Sequence, residues 1–444
     1  MTACWQRTFR RLVLLLMAAC LVLLVAHLSG TARWSRPTVV LITGTLVFLP
    51  TFYWWAWVDQ RLARARRLRQ RPGLRTFLRT AAGGYAVLVF VPVLVMAFSD
   101  RRDNALPAPL MMWALVWHLT LGAASVGILA APATELLGRL TGLRAARRNG
   151  ATRPADEGPV STRRAFLRQA GALAPLAIAA GGTGIGLVES GRFVVRRHAI
   201  RVCGLPDRLR GLTITHLTDL HIGRLFRPEH LPAMVEAANR LGSDIVAVTG
   251  DIINHSRHYL PDACDALGAL EHRYGRFVVA GNHDLMDAPR EVLAWLAHRE
   301  PGFLWGRHAR VEIGGETLQI AGLRWSRFDE PTFEEPGHRA CAAEALAGAD
   351  PRSCTIALAH HPHAFDALAA RGAALVLAGH THGGQIMLTP QGASRPVGAG
   401  TPLFRYLWGE YALGDARLFV SAGVGNWFPV RINAPAEIVQ LRLI

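Results

Sequence analysis

The chain of 444 residues is long enough for two or three domains, but its apolar residues and its net charge of +17 are unevenly distributed. Residues 1–189 combine long apolar runs with a net charge of +16, whereas residues 190–444 are nearly neutral at +1. Because the basic excess flanks the apolar runs, this pattern argues against a nucleic-acid-binding protein. The six cysteines show no Cys-x-x-Cys spacing, which argues against a zinc ribbon.

Apolar runs in the first 189 residues have the length that a helix needs to cross a bilayer, about 20 residues. The runs lack charged side chains, and arginines cluster between them, which favours spanning helices over buried core helices. We therefore expect a four-span transmembrane region at residues 1–138 and a fifth span or signal-like anchor at 170–189. The predicted spans are residues 12–29, 38–57, 82–98, 110–130 and 170–188.

The arginines between these runs predict an orientation. Eight arginines lie between the second and third runs and eight in the basic linker at residues 139–169, whereas the other two loops hold two each. Since positive loops stay in the cytoplasm, the N-terminus is expected inside and residue 190 onward outside.

Residues 162–168, with Arg163 and Arg164, resemble a twin-arginine export motif, and a Gly/Ala-rich stretch follows them. An ordinary basic flank of the fifth span is the alternative, and both interpretations place the C-terminal domain on the same side. We expect a multi-pass protein of the bacterial inner (plasma) membrane. Its C-terminal domain would lie on the periplasmic or extracytoplasmic side, with the lipid bilayer and the twin-arginine export machinery as partners.

From about residue 210 the sequence alternates apolar strands with amphipathic helices, which is typical of an α/β sandwich. We place this domain at residues 195–444. Gly314 and Gly315 lie between two short apolar segments and predict a hairpin. The predicted strands are 212–218, 244–249, 276–280, 311–313, 317–321, 354–359, 374–378, 418–421 and 438–443, and the predicted helices are 228–241, 261–272 and 289–299.

Five of the predicted strands end in short clusters of carboxylate, amide and imidazole side chains. Strand ends on one edge of a sheet converge in space, and open α/β sheets bind ligands there. We therefore expect a metal cage, and its oxygen and imidazole donors suit Mn, Fe, Zn or Co. The glycines that precede Asp251, Asn282 and His380 are expected to let the backbone turn sharply. The clusters are residues 218–221, 250–251, 281–284, 360–361 and 379–382.

Any one of these clusters is common by itself, but their order resembles the pattern of the calcineurin-like metallophosphoesterase superfamily. That pattern is Asp-x-His, Gly-Asp, Gly-Asn-His-Asp/Glu, a lone His, and Gly-His-x-His, and it covers about residues 210–444. More narrowly, residues 218–223, 379–385 and the tail 421–438 are similar to transmembrane proteins with a metallophosphoesterase domain and to twin-arginine-exported bacterial relatives. The chain departs at His363, where such relatives often carry Asp, and this difference bears on substrate preference.

The resemblance implies a metallophosphoesterase-type β-sandwich flanked by helices, with two divalent metal ions and a metal-activated hydroxide that hydrolyses phosphoric esters. His283 would be the general acid, and Asp284 would orient its imidazole. His361 is the alternative to His360 as a ligand. The implied ligands are Asp219, His221, Asp251 and His382 for the first ion, and Asp251, Asn282, His360 and His380 for the second.

Three functions agree with these expectations to different degrees. The first is a membrane-bound hydrolase of phosphodiester, phosphomonoester or pyrophosphate bonds in a phosphorylated small-molecule, lipid-linked or envelope substrate. The second is a UDP-2,3-diacylglucosamine pyrophosphatase-like enzyme of lipid A metabolism, whose cytoplasmic substrate conflicts with the predicted topology. The third is a receptor or scaffold that kept the fold without activity, which is disfavoured because no expected ligand is missing.

Overall fold

The computed structural model describes residues 3–28, 36–92, 107, 109–122, 124, 159–189, 191–325, 336–391 and 403–444 without 427–429, together with isolated positions between 393 and 401. The chain divides into two compact units, one comprising most residues up to Gly184 and the other Ile185–Ile444. The first unit is helical. Its helices are Ala3–Leu28, Arg36–Arg64, Arg66–Arg69, Pro72–Leu88, residues 109–122 and most of Pro159–Glu189.

Within the residues that the structure describes, no helix is both long and apolar enough to cross a membrane. The transmembrane bundle predicted at residues 1–138 and the fifth span predicted at 170–189 stay predictions. The segment with Arg163 and Arg164 lies in the helix Pro159–Glu189, whereas linker residues 139–158 lie outside the described residues.

The helix predicted as the third span has different bounds from those expected. It begins at Pro72, inside the predicted basic loop, and ends at Leu88, midway through the expected span at 82–98. Proline is well tolerated at the first helical position, where its missing N–H is not needed. Arg79 donates to Asp59 of the preceding helix at 2.6 Å. This ion pair connects the helix Pro72–Leu88 with the helix Arg36–Arg64. Residues 72–81, which sequence reasoning placed in a loop, are helical.

The second unit, whose elements are numbered within it, contains two sheets among its described residues. In the first sheet the strand order is β1-β11-β2-β3-β4, and in the second it is β5-β6-β7-β8-β10-β9. The neighbours β2, β3 and β4 are parallel, as are β6, β7, β8 and β10. The strands are β1 (Val194–Ile200), β2 (Thr213–Leu217), β3 (Ile245–Thr249), β4 (Gly275–Val279), β5 (Arg307–Ile313), β6 (Glu316–Gly322), β7 (Cys354–Leu358), β8 (Leu375–Ala378), β9 (Gly409–Leu413), β10 (Ala416–Val420) and β11 (Glu437–Leu443).

The two sheets pack face to face, and helices cover their outer faces. Side chains such as Ile214 and Val279 of the first sheet meet Ile356 and Leu377 of the second in a buried inner core. Central strands are apolar on both faces because one face meets the other sheet and the opposite face meets helices. The covering helices are α1 (Leu231–Asn239), α2 (Leu260–Gly268) and α3 (Pro289–Arg299) on the first sheet, and α4 (Pro336–Ala345) and α5 (Phe365–Ala369) on the second.

This mixed α/β architecture with largely parallel sheets is the one that the alternation of strands and helices predicted. The predicted hairpin is confirmed: β5 and β6 are antiparallel and are joined by Gly314 and Gly315, both at positive φ. Sequence reasoning did not predict β1, β9, α4 or α5. The parallel strands matter most for function, because their carboxyl ends bring the polar clusters to one place.

Candidate metal centre

All the predicted site residues lie in the turns that follow parallel strands. Asp219, His221, Asp251, Asp284, His360 and His382 are each at most 3% exposed, although ionised or polar groups are rarely this deeply buried without partners. Asp219 and His221 follow β2, Asp251 follows β3, Asn282, His283 and Asp284 follow β4, His360 follows β7, and His380 and His382 follow β8.

The backbone at five of the predicted ligands is in the left-handed region. The φ values are 50° at Asp219, 44° at His221, 51° at Asp251, 71° at His380 and 50° at His382. Residues with a Cβ seldom adopt this conformation, and each instance costs on the order of 1–3 kcal/mol. The stability of the sandwich therefore offsets a strain that is concentrated at this one site, where it turns the side chains inward.

Two glycines make room for the site carboxylates. A Cβ on Gly379 would lie 2.1 Å from Asp219 Oδ2, and one on Gly281 would lie 2.2 Å from Asp251 Oδ1. Neither glycine has positive φ, so close approach to the carboxylates is the reason that a larger residue does not fit at these two positions. Gly250, at φ 90°, does have the predicted turn conformation.

One cluster of metal-binding side chains contains Asp219, His221 and His382. His382 Nε2 lies 3.2 Å from Asp219 Oδ1 and 3.0 Å from His221 Nε2. Two ring nitrogens this close share either one proton or one cation. We call this group the first cluster.

The second cluster contains Asp251, His360 and His380. His360 Nε2 lies 3.1 Å from Asp251 Oδ2 and 3.2 Å from His380 Nδ1. His360 Nδ1 donates to the carbonyl of Thr249 at 2.7 Å, and this bond leaves the lone pair on Nε2 for the cluster. His361, the alternative to His360, belongs to none of the clusters found among the described residues.

The two clusters are joined through Asp251. Its Oδ2 atom is 3.1 Å from His360 Nε2 and 3.5 Å from His221 Nε2, so one carboxylate faces a histidine of each cluster. A third group of potential ligands, made of His221, Asp251 and His283, lies between them. This is the arrangement that a shared, bridging carboxylate requires.

Asn282 supplies an independent test of whether a cation fits here. Its Oδ1 atom is buried and accepts no hydrogen bond from the described residues. Leaving a buried polar atom without a partner costs about 1–3 kcal/mol. An amide oxygen beside carboxylates and imidazoles completes the mixed oxygen and nitrogen donor set that a divalent transition metal prefers. The residues present therefore fit the metal pair that the sequence resemblance implied.

The electrostatics of the site favour neutral imidazoles at His221 and His382 and an ionised Asp251. Burial alone would lower the pKa of His360, but the neighbouring carboxylates of Asp251 and Asp219 raise it to about 9. Burial holds the pKa of His221 and the pKa of His382 well below 6.5. Burial alone would raise the pKa of Asp251, but the neighbouring His360 and His283 lower it well below its usual value. Deprotonated ligands are the forms that bind metal, because protons and cations compete for the same lone pairs.

His283 and Asp284 have hydrogen-bond partners on neighbouring turns of the site. The Asp284 carboxylate accepts hydrogen bonds from the backbone N–H groups of Ile253 and Gly281, at 2.9 and 2.8 Å. The ring of His283 instead has Nδ1 3.1 Å from Asn254 Oδ1. Asn254 thus faces the His283 ring, while Asp284 holds the turns that carry the site.

Sequence reasoning missed three residues at the site. Asn254 Oδ1 also lies 3.2 Å from His221 Nδ1, so it faces two site histidines. The Trp325 ring lies 5.3 and 5.5 Å from the rings of His380 and His360. Arg431 reaches His382 from the C-terminal tail. Asn254 stands only three positions after Asp251 and could have been suspected from that spacing, whereas no local pattern marks the other two.

The comparison with protein families agrees with this geometry. The family model for calcineurin-like phosphoesterases matches residues 212–384, a range that contains every predicted site residue. The chain carries a calcineurin-like phosphoesterase domain.

Relatives of this phosphoesterase domain occur in animals and bacteria. A "Transmembrane protein with metallophosphoesterase domain" of Danio rerio is 31% identical over 249 residues, 54% of this chain and 54% of the relative. An "Uncharacterized metallophosphoesterase" of Helicobacter pylori is 31% identical over 54% of this chain and 61% of its own length. The "Uncharacterized metallophosphoesterase YkuE" of Bacillus subtilis is 29% identical over 64% of this chain and 97% of its own length.

The match to the first two relatives is partial, since this chain spans a little over half of their length. Among solved structures, one titled "Structural and Functional Characterization of a Novel Archaeal Phosphodiesterase" covers 48% of this chain at 16% identity with a TM-score of 0.25. That score is too low to support an inference about this chain. The phosphoesterase domain is therefore assigned from the site geometry and the family match.

Proposed function

We propose that this protein is a metal-dependent phosphoric ester hydrolase with a dinuclear metal centre. One observation carries the proposal: two clusters of carboxylate and imidazole donors meet at Asp251, each within the reach of a metal ion. The family match supports the same reaction class. A receptor or scaffold would have no need for this strained and deeply buried set of ligands.

Asp219, His221, Asp251 and His382 would hold the first ion, and Asp251, Asn282, His360 and His380 the second. Two divalent ions, of Mn, Fe, Zn or Co, would supply Lewis acidity to the phosphoryl group and make water nucleophilic near neutral pH. His283 would give a proton from its ring to the leaving oxygen. Asn254 would fix that ring from the Nδ1 side, while the His283 backbone N–H donates to Asp251 Oδ1 at 2.8 Å.

We further propose that the substrate is a lipid-linked or envelope phosphoester or pyrophosphate and that residues 1–189 hold the protein at the bacterial inner membrane. The support is the sequence: apolar runs without charges, alternating arginine-rich loops, and the twin-arginine-like segment. Exposed apolar side chains on the first helix agree with a lipid or protein surface there, with Leu12 at 63%, Leu15 at 69% and Val22 at 67% exposure. The phosphoesterase domain would then lie on the extracytoplasmic side.

The reaction class can be tested with a substrate screen on the full-length protein loaded in turn with Mn, Fe, Zn or Co. The substrates are a phosphomonoester, a phosphodiester, a lipid pyrophosphate and a UDP-linked diacylglucosamine. We expect metal-dependent hydrolysis of at least one class and loss of that activity in Asp251→Asn protein. Absence of turnover on all four classes in protein that holds two ions would contradict the proposed function.

A further inference from the structure

The described part of the C-terminal tail, residues 421–426 and 430–438, supplies none of the implied metal ligands, yet it lies against the first cluster. Val424 N donates to Thr218 O at 3.0 Å, and Gly425 N donates to Asp219 O at 2.8 Å. The approach is close enough that a Cβ on Gly425 would lie 1.7 Å from Leu220 O. The tail therefore fixes the backbone from which the Asp219 carboxylate extends.

Arg431 ties this part of the tail to His382. Its Nη2 donates to Ala422 O at 2.9 Å and to Gly425 O at 2.8 Å. Its Nη1 donates to Ala434 O at 3.0 Å and to His382 O at 3.3 Å, and its Nε donates to Asn426 Oδ1. All five N–H groups of the guanidinium thus have oxygen acceptors, a set that the three N–H groups of a lysine cannot replace.

The guanidinium also limits where the His382 ring can lie. Its Nη2 is 3.1 Å from His382 Nδ1, while Nε2 on the other side of the ring faces Asp219 Oδ1 and His221 Nε2. Arg431 therefore contacts both the main chain and the ring of one predicted ligand. Through the carbonyls of Ala422 and Gly425, Arg431 also holds the loop whose backbone binds the main chain of Asp219, the other predicted ligand.

A buried carboxylate holds the same loop from its opposite side. Glu437, which is fully buried, accepts from Ala422 N at 2.8 Å and from Trp408 Nε1 at 3.0 Å. The Ala422 residue is thus fixed at its N–H by Glu437 and at its carbonyl by Arg431. Within the described chain, the contacts of Arg431 are with the tail and with His382, and none is with Asp251, His360 or His380.

We infer that Arg431 is a positioning residue that sets the spacing of Asp219 and His382 and so governs metal binding at the first cluster selectively. The inference rests on the proposed function, because it takes the two clusters to be metal subsites. Partners that orient metal ligands typically contribute about 10–100-fold to metal affinity. Loss of Arg431 should therefore weaken one ion of the pair and leave the other in place.

The test compares full-length Arg431→Met and Arg431→Lys proteins with wild type and with Arg417→Met. Arg417 is a matched control: it too donates to backbone carbonyls, those of Gly414 and Ala416, but it lies on β10, and none of its described contacts is with a cluster residue. Each protein is titrated with Mn²⁺, bound ions per chain are counted after dialysis, and electron paramagnetic resonance distinguishes a spin-coupled pair from a single ion. Circular dichroism checks that each variant is folded.

We expect wild type and Arg417→Met to bind two ions and give the signal of a coupled pair. Arg431→Met should bind one ion tightly and the other about 10–100-fold more weakly, with the signal of an isolated ion. Arg431→Lys keeps the charge and much of the packing, so it should fold and show the same defect in weaker form, because it lacks the full set of donors.

Two coupled ions with wild-type affinity in folded Arg431→Lys and Arg431→Met would overturn the inference. Equal weakening of both ions would also overturn it, because the role would then not be selective. If wild type itself fails to bind two ions, the proposed dinuclear function fails first, so the two failures are distinguishable.

Discussion

At the residue scale, His283 has contacts that allow two different roles. Its ring lies in a group of potential metal ligands with His221 and Asp251, yet its Nδ1 faces Asn254 Oδ1 rather than a carboxylate. The resemblance implied a general acid that binds no metal. A ligand and an acid would respond differently to removal of the ring, so substitution separates the two roles.

If His283 is the acid, His283→Ala should keep both ions and lose rate. The expected loss is about 10²–10⁴-fold on a substrate with a poor alkoxide leaving group. It should shrink on a nitrophenyl ester, whose leaving group departs with little protonation. Steady-state rates on the two substrates, together with metal content, provide the measurement.

The matched variant is His380→Ala, which should lose metal and should slow both substrates. An acid role for His283 is excluded if His283→Ala protein also loses an ion. The acid role is likewise excluded if His283→Ala slows hydrolysis of the alkoxide and nitrophenyl substrates by the same factor.

The residues that could be predicted from sequence are those in short, ordered motifs at strand ends. Asp219, Asp251 and His380 are of this kind, because a turn after a parallel strand delivers them to the sheet edge whatever the rest of the fold does. Arg431 could not be found this way, since it meets His382 across 49 positions of sequence. Such a contact depends on the path of the tail, which no local pattern encodes.

At the scale of elements, the turn after β8 is limited by space. Gly379 is the first residue after β8 and packs against the end of β2. A Cβ there would come within 2.1 Å of both Asp219 Oδ2 and Thr218 Oγ1. Gly268, at the end of α2, is the matched contrast, because no atom lies within 4 Å of its Cβ position and its φ is ordinary.

We predict that Gly379→Ala displaces the Asp219 carboxylate, destabilises the fold by about 1–3 kcal/mol, as overpacking typically does, and weakens metal binding. Gly268→Ala should leave stability nearly unchanged and metal content as in wild type. Thermal unfolding followed by metal analysis checks both variants. Equal behaviour of the two glycine variants would show that the close approach at Gly379 does not matter.

The elements that sequence predicted well are the central strands and the amphipathic helices. Helix α3 has the predicted bounds, Pro289–Arg299, because a proline begins it and an apolar stripe faces the sheet. Strand β1 was missed because its Val-Val-Arg-Arg-His-Ala-Ile sequence looks polar; it lies at the edge of the sheet, largely exposed, and pairs with β11. Helix α5 has only five residues, too few for helical periodicity to be visible.

At the scale of the whole molecule, the arginine distribution predicts an orientation that the fold of the phosphoesterase domain does not test. A phosphatase-type reporter fused after residue 195 should be active only outside the cytoplasm. A reporter fused near Arg69 should behave as cytoplasmic. The reverse pattern would contradict both the orientation and the preference for envelope substrates.

In the N-terminal half, the helix Pro72–Leu88 has different bounds from those that the sequence predicted. Apolar runs give a span count from length alone, but they do not reveal that this helix begins inside a predicted loop or that its Arg79 pairs with Asp59. In the C-terminal half the alternation of strands and helices restricts the architecture much more strongly, because parallel strands need crossover connections. The sandwich was therefore predictable from pattern.

The central claim is that two metal ions share Asp251, and the number of metal ions bound per chain tests it most directly. Elemental analysis should find two ions in the wild-type protein and in Asp265→Ala, which removes an exposed aspartate paired with Arg299. Asp251→Ala should hold well under two ions and show no turnover, because the lost carboxylate faces both clusters. Full metal occupancy with normal turnover in Asp251→Ala protein would contradict the account.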